Sequence, residues 1–376
     1  MSTREIQSGL RGVVAAETAL SEVNGEKGEL LIRGFPLREI APRASYEEMM
    51  YLMLHNRLPD AEELRMFSTT LRREQRLPEI TLCVLGDAAA RKLGPMDALR
   101  MAVGTLDSAG EQSDVDAVVS VLAKFPVIVA AYYRLVQGES PLQPRADLGF
   151  SAQYLFLLRG KEGLPGEVRA LETYLNTVVD HGLNASTFTA RVITSTGSDI
   201  TSALTGAIGA LKGPLHGGAP GPALDMVFEI GSLERAEEYL RAKLEKGERL
   251  MGFGHRVYKV RDPRADVLAE AAQELFDHDG DRELYRLATG VEQKALELLD
   301  EYKPGRRLRT NVEFYTALVL YGLRLPVEFF TPTFAIGRMT GWAAHCLEQG
   351  RQQTLIRPSS VYNGPRGRIW IPMEER

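Results

Sequence analysis

The chain of 376 residues carries only two cysteines, Cys83 and Cys346, far apart and without metal-type spacing. That scarcity argues against a disulfide scaffold and fits reduced thiols in a cytoplasmic protein. Long apolar runs are also missing. The longest nearly apolar stretch, Phe125 to Tyr133, is too short to span a bilayer, and Met1 to Arg11 is polar with no signal-peptide core. There is no excess of positive charge: the formal net charge is −5 at pH 7, which leaves no footprint for nucleic acid or an anionic membrane surface. Strand signals are few. No helix–strand alternation of the kind that builds a parallel sheet occurs, so a nucleotide-binding α/β fold is not expected. No repeat, low-complexity tract or cysteine- and histidine-rich metal motif is present.

What remains is a helical pattern in a chain of ordinary globular composition, 44% hydrophobic and 25% charged, long enough for two domains. Val168, Leu171, Leu175 and Val178 follow three- and four-residue steps, as do Ile200, Leu204, Ile208 and Leu211. Ser45-Tyr46-Glu47-Glu48 and Asp60-Ala61-Glu62-Glu63 read as capping boxes. Asp262-Pro263 reads as an N-cap followed by proline at the first helical position. Pro126 is expected to kink or split the helix over 115–136. Thr18 to Gly34 suggests a hairpin around Asn24-Gly25-Glu26-Lys27-Gly28, and Arg368 to Pro372 a short extended tail. The expected architecture is mostly α, with a ligand held between two helical domains and hinges near 217 and 318.

Histidine is scarce too, with six in the chain, and two lie in glycine-rich turns: Gly213-Pro214-Leu215-His216-Gly217-Gly218 and Gly252-Phe253-Gly254-His255. A histidine without bulky neighbours stays open to a ligand, as proton donation to a substrate oxygen requires. His216 precedes a helical pattern that resumes near Ala223. A helix N-terminus keeps an imidazole neutral, so that it donates a hydrogen bond without acting as a strong acid; the alternative is a histidine capping a turn. His255 is followed by Arg256 and Lys259, and Arg264 falls in the first turn of the next helix. Orphan amides and a guanidinium there suit a carboxylate or phosphate. The alternative is a solvated basic loop.

In Asn311-Val312-Glu313-Phe314-Tyr315 the carboxylate of Glu313 lies in a first helical turn, which favours its ionised form and makes it a candidate base. Arg338 interrupts an apolar helix and needs either an internal salt bridge or a ligand. Arg357, before Pro358, is a weaker candidate of the same kind. His181, in Asp180-His181-Gly182-Leu183-Asn184, reads by itself as a core histidine.

Together these segments resemble the citrate synthase family in its shorter bacterial and archaeal form. The most specific pieces are Asp180 to Arg191, Lys212 to Ala219, Met251 to Arg264 and Phe329 to His345. The resemblance implies a two-domain helical homodimer. Residues 1–216 and 320–376 would form the large domain and 217–319 the small one, closing over oxaloacetate and acetyl-CoA without a metal or cofactor. By the same resemblance His216 activates the acetyl group, and His181 and His255 face oxaloacetate. Arg264, Arg338 and, from the neighbouring subunit, Arg357 bind its carboxylates. Met251, Gly252, Phe253, Gly254, Arg256, Lys259 and Asn311 line the coenzyme A site.

The family's usual base is an aspartate in Asn-Val-Asp-Phe-Tyr, where this chain has Glu313. A branch of bacterial citrate synthases is similar here, with the same glutamate and with proline at the position of Pro220. The reference pKa values of the two acids are close, about 4.3 and about 3.9, but glutamate reaches one methylene further. The departure bears on rate and on the choice between acetyl- and propionyl-CoA, the latter being the substrate of 2-methylcitrate synthase. A non-catalytic sensor of dicarboxylates or coenzyme A is the rival of another class.

Overall fold

The computed structural model describes residues 7–10, 12–107, 114–217, 221–255, 257–279 and 281–376. Three short strands come first: β1 (Ser21–Asn24), β2 (Glu29–Ile32) and β3 (Phe35–Pro36). They form one antiparallel sheet in the order β1-β2-β3, with Ser21 opposite Ile32 and Asn24 opposite Glu29. The hairpin expected around Asn24 to Gly28 is therefore present.

Helices follow: α1 (Leu37–Ile40), α2 (Tyr46–His55), α3 (Ala61–Arg73), α4 (Glu79–Ala90), α5 (Pro95–Val103), α6 (Asp114–Val136), α7 (Phe150–Arg159) and α8 (Pro165–Thr177). The second half of the chain adds α9 (Ala185–Thr194), α10 (Ile200–Leu211), α11 (Gly221–Ile230), α12 (Leu233–Glu245), α13 (Pro263–Asp279), α14 (Arg282–Tyr302), α15 (Val312–Gly322) and α16 (Phe330–Gln352). Both capping boxes close: Ser45 and Asp60 each accept from the backbone three residues on, and Glu48 and Glu63 each reach back. Substituting such a cap by alanine typically costs about 1 kcal/mol. Pro263 opens α13, and the Asp262 side chain accepts from Arg264 N–H at 3.0 Å.

Pro126 does not split its helix: α6 runs unbroken for 23 residues. Proline removes one backbone hydrogen bond, but Phe125, Val127, Ile128 and Val129 beside it are buried in the core, and that packing offsets the loss. The helix is also longer and more apolar than the stretch from Phe125 to Tyr133 suggests. Its length and mean hydropathy of 1.8 would permit a membrane span, yet 78% of that window is buried inside the fold, as in a core helix. The tail from Arg368 to Pro372 pairs with no strand and leaves Ile369 and Trp370 exposed.

The core runs along α16, where Ile336, Met339 and Trp342 are fully buried and pack against α6, α8, α9 and α10. Close approach is possible because of Gly341: a Cβ there would lie 2.1 Å from the Val179 carbonyl oxygen. The end of α8 therefore rests directly on α16, which delivers the Asp180-His181 segment next to Arg338. The proposed hinge near 318 lies within α15 among buried residues, and the 319/320 boundary cuts that helix rather than a turn.

Candidate active site

A cavity of about 210 Å³ gathers residues from separate parts of the chain: His181 and Asn184; Leu211, His216 and Gly217; His255 and Arg264; Asn311, Val312, Glu313 and Thr316; and Thr331, Phe334 and Arg338. A larger groove of about 690 Å³ between α4, α6 and the 141–144 segment holds none of the candidate residues and is lined mainly by apolar side chains. The chemistry lies in the smaller cavity.

His216 is held from α9, not from the helix that follows it in sequence. Ser186 N–H, in the first turn of α9, donates to His216 Nε2 at 3.3 Å, and the Ser186 hydroxyl lies 2.7 Å from the same nitrogen. Trp342 Nε1–H donates to that hydroxyl at 3.1 Å. A backbone donor needs an unprotonated Nε2, which assigns the ring proton to Nδ1. Burial, helped by Arg338, lowers the pKa of this imidazole below its ordinary value. Neutrality was expected; its main cause is desolvation.

His255 shows the mirrored arrangement. Its Nδ1 accepts from Val257 N–H and Tyr258 N–H, each at 3.1 Å, so the proton sits on Nε2. Arg264 Nη2 lies 3.2 Å from that Nε2. His255 and Arg264 therefore stand side by side on the cavity wall, where both can serve a substrate oxygen. Burial and the charge of Arg264 push the His255 pKa down to about 4.

His181 is half-buried at the cavity wall. Tyr258 Oη lies 3.1 Å from His181 Nε2, and the His181 and His255 ring centroids are 5.6 Å apart in an edge-on contact. Burial, with Arg264, Arg338 and His255, holds His181 well below the usual histidine range. It therefore belongs to the cavity, which its sequence context alone did not indicate.

The two arginines differ. Arg264 Nε and Nη2 donate to Asp262 at 3.0 and 2.8 Å, so an internal carboxylate offsets part of its charge. Arg338 donates from Nε to the Val178 carbonyl at 2.6 Å and lies over the Phe334 ring, 4.7 Å from its centroid. Among the described residues it has no ion pair, and burial lowers its pKa to about 10. Of the two alternatives left open by the sequence, the internal salt bridge is absent there.

Glu313 stands in the first turn of α15, with its N–H donating to the Asn311 side chain at 3.0 Å. Its pKa is raised, first by burial and against the pull of Arg264. Desolvation thus outweighs the helix terminus, which by itself would favour the ionised form; the result is a stronger base than an exposed glutamate. Asn311 also donates from Nδ2 to the Gly254 carbonyl at 2.9 Å, and its backbone N–H donates to the Gly252 carbonyl at 2.9 Å. The Met251–Gly254 segment is thereby joined to the start of α15. Met251 and Lys259 are exposed, and Arg256 lies outside the described residues. Arg357 is exposed on the tail and does not line this chain's cavity.

Sequence reasoning passed over Ser186, Tyr258 and Trp342 and took Asp262 only as an N-cap; all four orient the candidates. Asn184 caps α9 and accepts from Thr187 N–H. An Asn-x-Ser-Thr start three residues after His181 was the available signal.

A family model described as "Citrate synthase, C-terminal domain" matches residues 9–359. The chain is 42% identical over 375 residues to citrate synthase 2 of Bacillus subtilis (strain 168), covering 98% of each protein. It is 36% identical to 2-methylcitrate synthase 1 of Corynebacterium glutamicum over all of both chains. The solved citrate synthase of Pyrobaculum aerophilum superposes with a TM-score of 0.91 at 38% identity, covering 99% of this chain and 95% of that one. A Thermoplasma acidophilum citrate synthase, solved as a ternary complex with carboxymethyl coenzyme A and oxaloacetate, gives 0.88 at 31% identity over the whole of both.

Proposed function

The chain belongs to the citrate synthase family, and from that premise we propose how its own side chains condense acetyl-CoA with oxaloacetate and hydrolyse the product thioester. The observation that carries the reading is the convergence in one cavity of three neutral imidazoles, a half-buried carboxylate and two buried guanidiniums. No other described cavity has that set.

Oxaloacetate carries two carboxylates and one ketone. Arg338, a buried cation with no ion pair among the described residues, takes one carboxylate, and Arg264 helps with the other. Arg357 from a second subunit of a homodimer completes the clamp. His181 and the Nε2–H of His255 orient the ketone. Acetyl-CoA lies along Met251, Gly252, Phe253 and Gly254, with Arg256 and Lys259 toward its phosphates and Asn311 beside it. The small domain, 217–319, closes on the large one and keeps water from the thioester until condensation is complete.

The ionised Glu313 removes a methyl proton while His216 Nδ1–H bonds the thioester oxygen, spreading the developing charge. The resulting carbon nucleophile attacks the ketone carbon, and His255 Nε2–H stabilises or protonates the alkoxide. Water then cleaves the citryl thioester and releases CoA. In the condensation each proton moved has a named donor or acceptor in the cavity; in the hydrolysis water gives its hydroxyl to the acyl carbon and its proton to the departing thiolate.

A second reading stays in play because the relatives include a 2-methylcitrate synthase at 36% identity over its full length. One extra methylene is worth only about 1–3 kcal/mol of discrimination. Steady-state CoA release with oxaloacetate, comparing acetyl- and propionyl-CoA, decides between them. Acetyl-CoA is expected to have the higher kcat/KM. A preference for propionyl-CoA would make 2-methylcitrate the product, and binding of both substrates without release of CoA would point to a sensor.

A further inference from the structure

The hairpin of β1 and β2 touches both segments that carry the oxaloacetate-side histidines, although it lines none of the cavity. On β1, the Ser21 hydroxyl donates to Asp180 Oδ2 at 2.5 Å and accepts from Gly182 N–H at 3.1 Å. These two bonds bracket His181. At the turn, Lys259 N–H donates to the Gly25 carbonyl at 2.9 Å. Gly25 also presses on Val257 so closely that a Cβ would stand 2.3 Å from the Val257 carbonyl oxygen. Val257 and Tyr258 supply the two N–H groups that set the His255 tautomer, and Tyr258 Oη meets His181.

We propose that this hairpin is a positioning strap for oxaloacetate binding: Ser21 sets the His181 segment, Gly25 sets the His255 segment, and the two-stranded ladder ties the two segments together. The proposal rests on the roles given above to His181 and His255. Its physical basis is entropic. The histidine-bearing segments lie outside helices and far apart in sequence, and neither ring is held by its own element alone. A misplacement of about 1 Å at a reacting centre can cost on the order of a hundredfold in rate. Gly25 does not need glycine for its own backbone: it is not among the residues with positive φ. Only the contact with Val257 forbids a side chain, so alanine there perturbs the strap's grip more than the turn itself.

The test uses the full-length chain with Gly25→Ala, Ser21→Ala, Ser21→Thr and, as a control, Glu22→Ala, whose side chain is exposed on β1. KM for oxaloacetate, KM for the acyl-CoA, kcat and Tm are measured for each. G25A and S21A should raise KM for oxaloacetate by about tenfold, with KM for the acyl-CoA within about twofold and Tm little changed. S21T should recover most of the loss, and E22A should match the parent chain. An unchanged oxaloacetate KM in both variants overturns the proposal. So does a parallel rise in both KM values together with a fall in Tm, which is the signature of a merely structural hairpin. If the parent chain releases no CoA, the functional reading fails first. The strap is then judged by histidine ring NMR resonances: shifts at His181 and His255 in G25A and S21A support it, and unmoved resonances refute it.

Discussion

Arg191 on α9 and Arg338 on α16 are both buried arginines within reach of the Asp180-His181 turn, and they are treated in opposite ways. Arg191 Nη1 donates to Glu348 at 2.6 Å and lies 3.0 Å from His345 Nδ1, while Nε donates to Gln349 at 3.0 Å. His345 in turn lies 3.2 Å from Asp180. The fold supplies that region with its own counter-charges. Arg338 has one backbone carbonyl and an aromatic face, with no ion pair among the described residues, and it opens into the cavity. A buried charge without a partner costs several kcal/mol, and the lowered pKa of Arg338 reflects that cost. The comparison teaches that a paired cation maintains architecture, whereas an unpaired one beside a cavity is prepared for an anion.

The largest expected effect lies on the acid side of the cavity. Glu313→Gln keeps shape and volume but removes the base, and turnover should fall by about 10²–10⁴-fold with oxaloacetate affinity retained. Near-normal turnover would assign proton abstraction to another group. Next comes the unpaired arginine itself. Arg338→Met should cost about 2–5 kcal/mol of oxaloacetate binding, thirtyfold or more in KM. Tm should hold or rise, because an uncompensated buried charge has been removed. A lower Tm with unchanged KM would place Arg338 with the architecture after all.

Arg191→Met should do the reverse. It strands Glu348, whose side chain remains 21% exposed, so the loss should lie near the low end for a broken buried pair, about 3 kcal/mol in denaturant unfolding. Oxaloacetate KM of the folded protein should not change; a KM shift as large as that of Arg338→Met would erase the distinction. The smallest effect is in the pH profile. Glu313 acts only when ionised and its pKa is raised, so kcat/KM should fall as pH drops through a value higher than that of an exposed glutamate. His255, held to about 4, and His216, also lowered, should add no limb near 6.5. A limb near 6.5 that survives in Glu313→Gln would show that one of these imidazoles is not neutral in the way the hydrogen bonds imply.

Local signals were easily read along the chain. The two capping boxes, the Asp262-Pro263 start and the hairpin at Asn24 to Gly28 each involve residues within a few positions of one another, and each forms as expected. Pro126 shows the limit of such reasoning: a local rule allowed a split helix, and the core around Phe125 and Val129 keeps α6 continuous. The candidate site divides in the same way. His216, His255 and Glu313 announced themselves through glycine turns and a helix start. His181 looked like core, Ser186 was marked only by the helix start at Asn184, and Tyr258 and Trp342 gave no sign, because their importance lies in contacts between residues tens to hundreds of positions apart.

The sequence by itself determined which chemistry is available: neutral-capable imidazoles in open turns, a carboxylate at a helix start, cations placed for an anion, and the family pattern that joins them. Only the tertiary structure decided how each group behaves. Ser186 and the paired amides of residues 257 and 258 choose which ring nitrogen keeps its proton. Burial raises Glu313 against its helix terminus, and Asp262 pairs directly with Arg264 while Arg338, among the described residues, has no ion pair and feels Asp180 only at longer range. Proton position and charge depend on solvation and on neighbours a few ångströms away, and those neighbours are set by packing rather than by order along the chain.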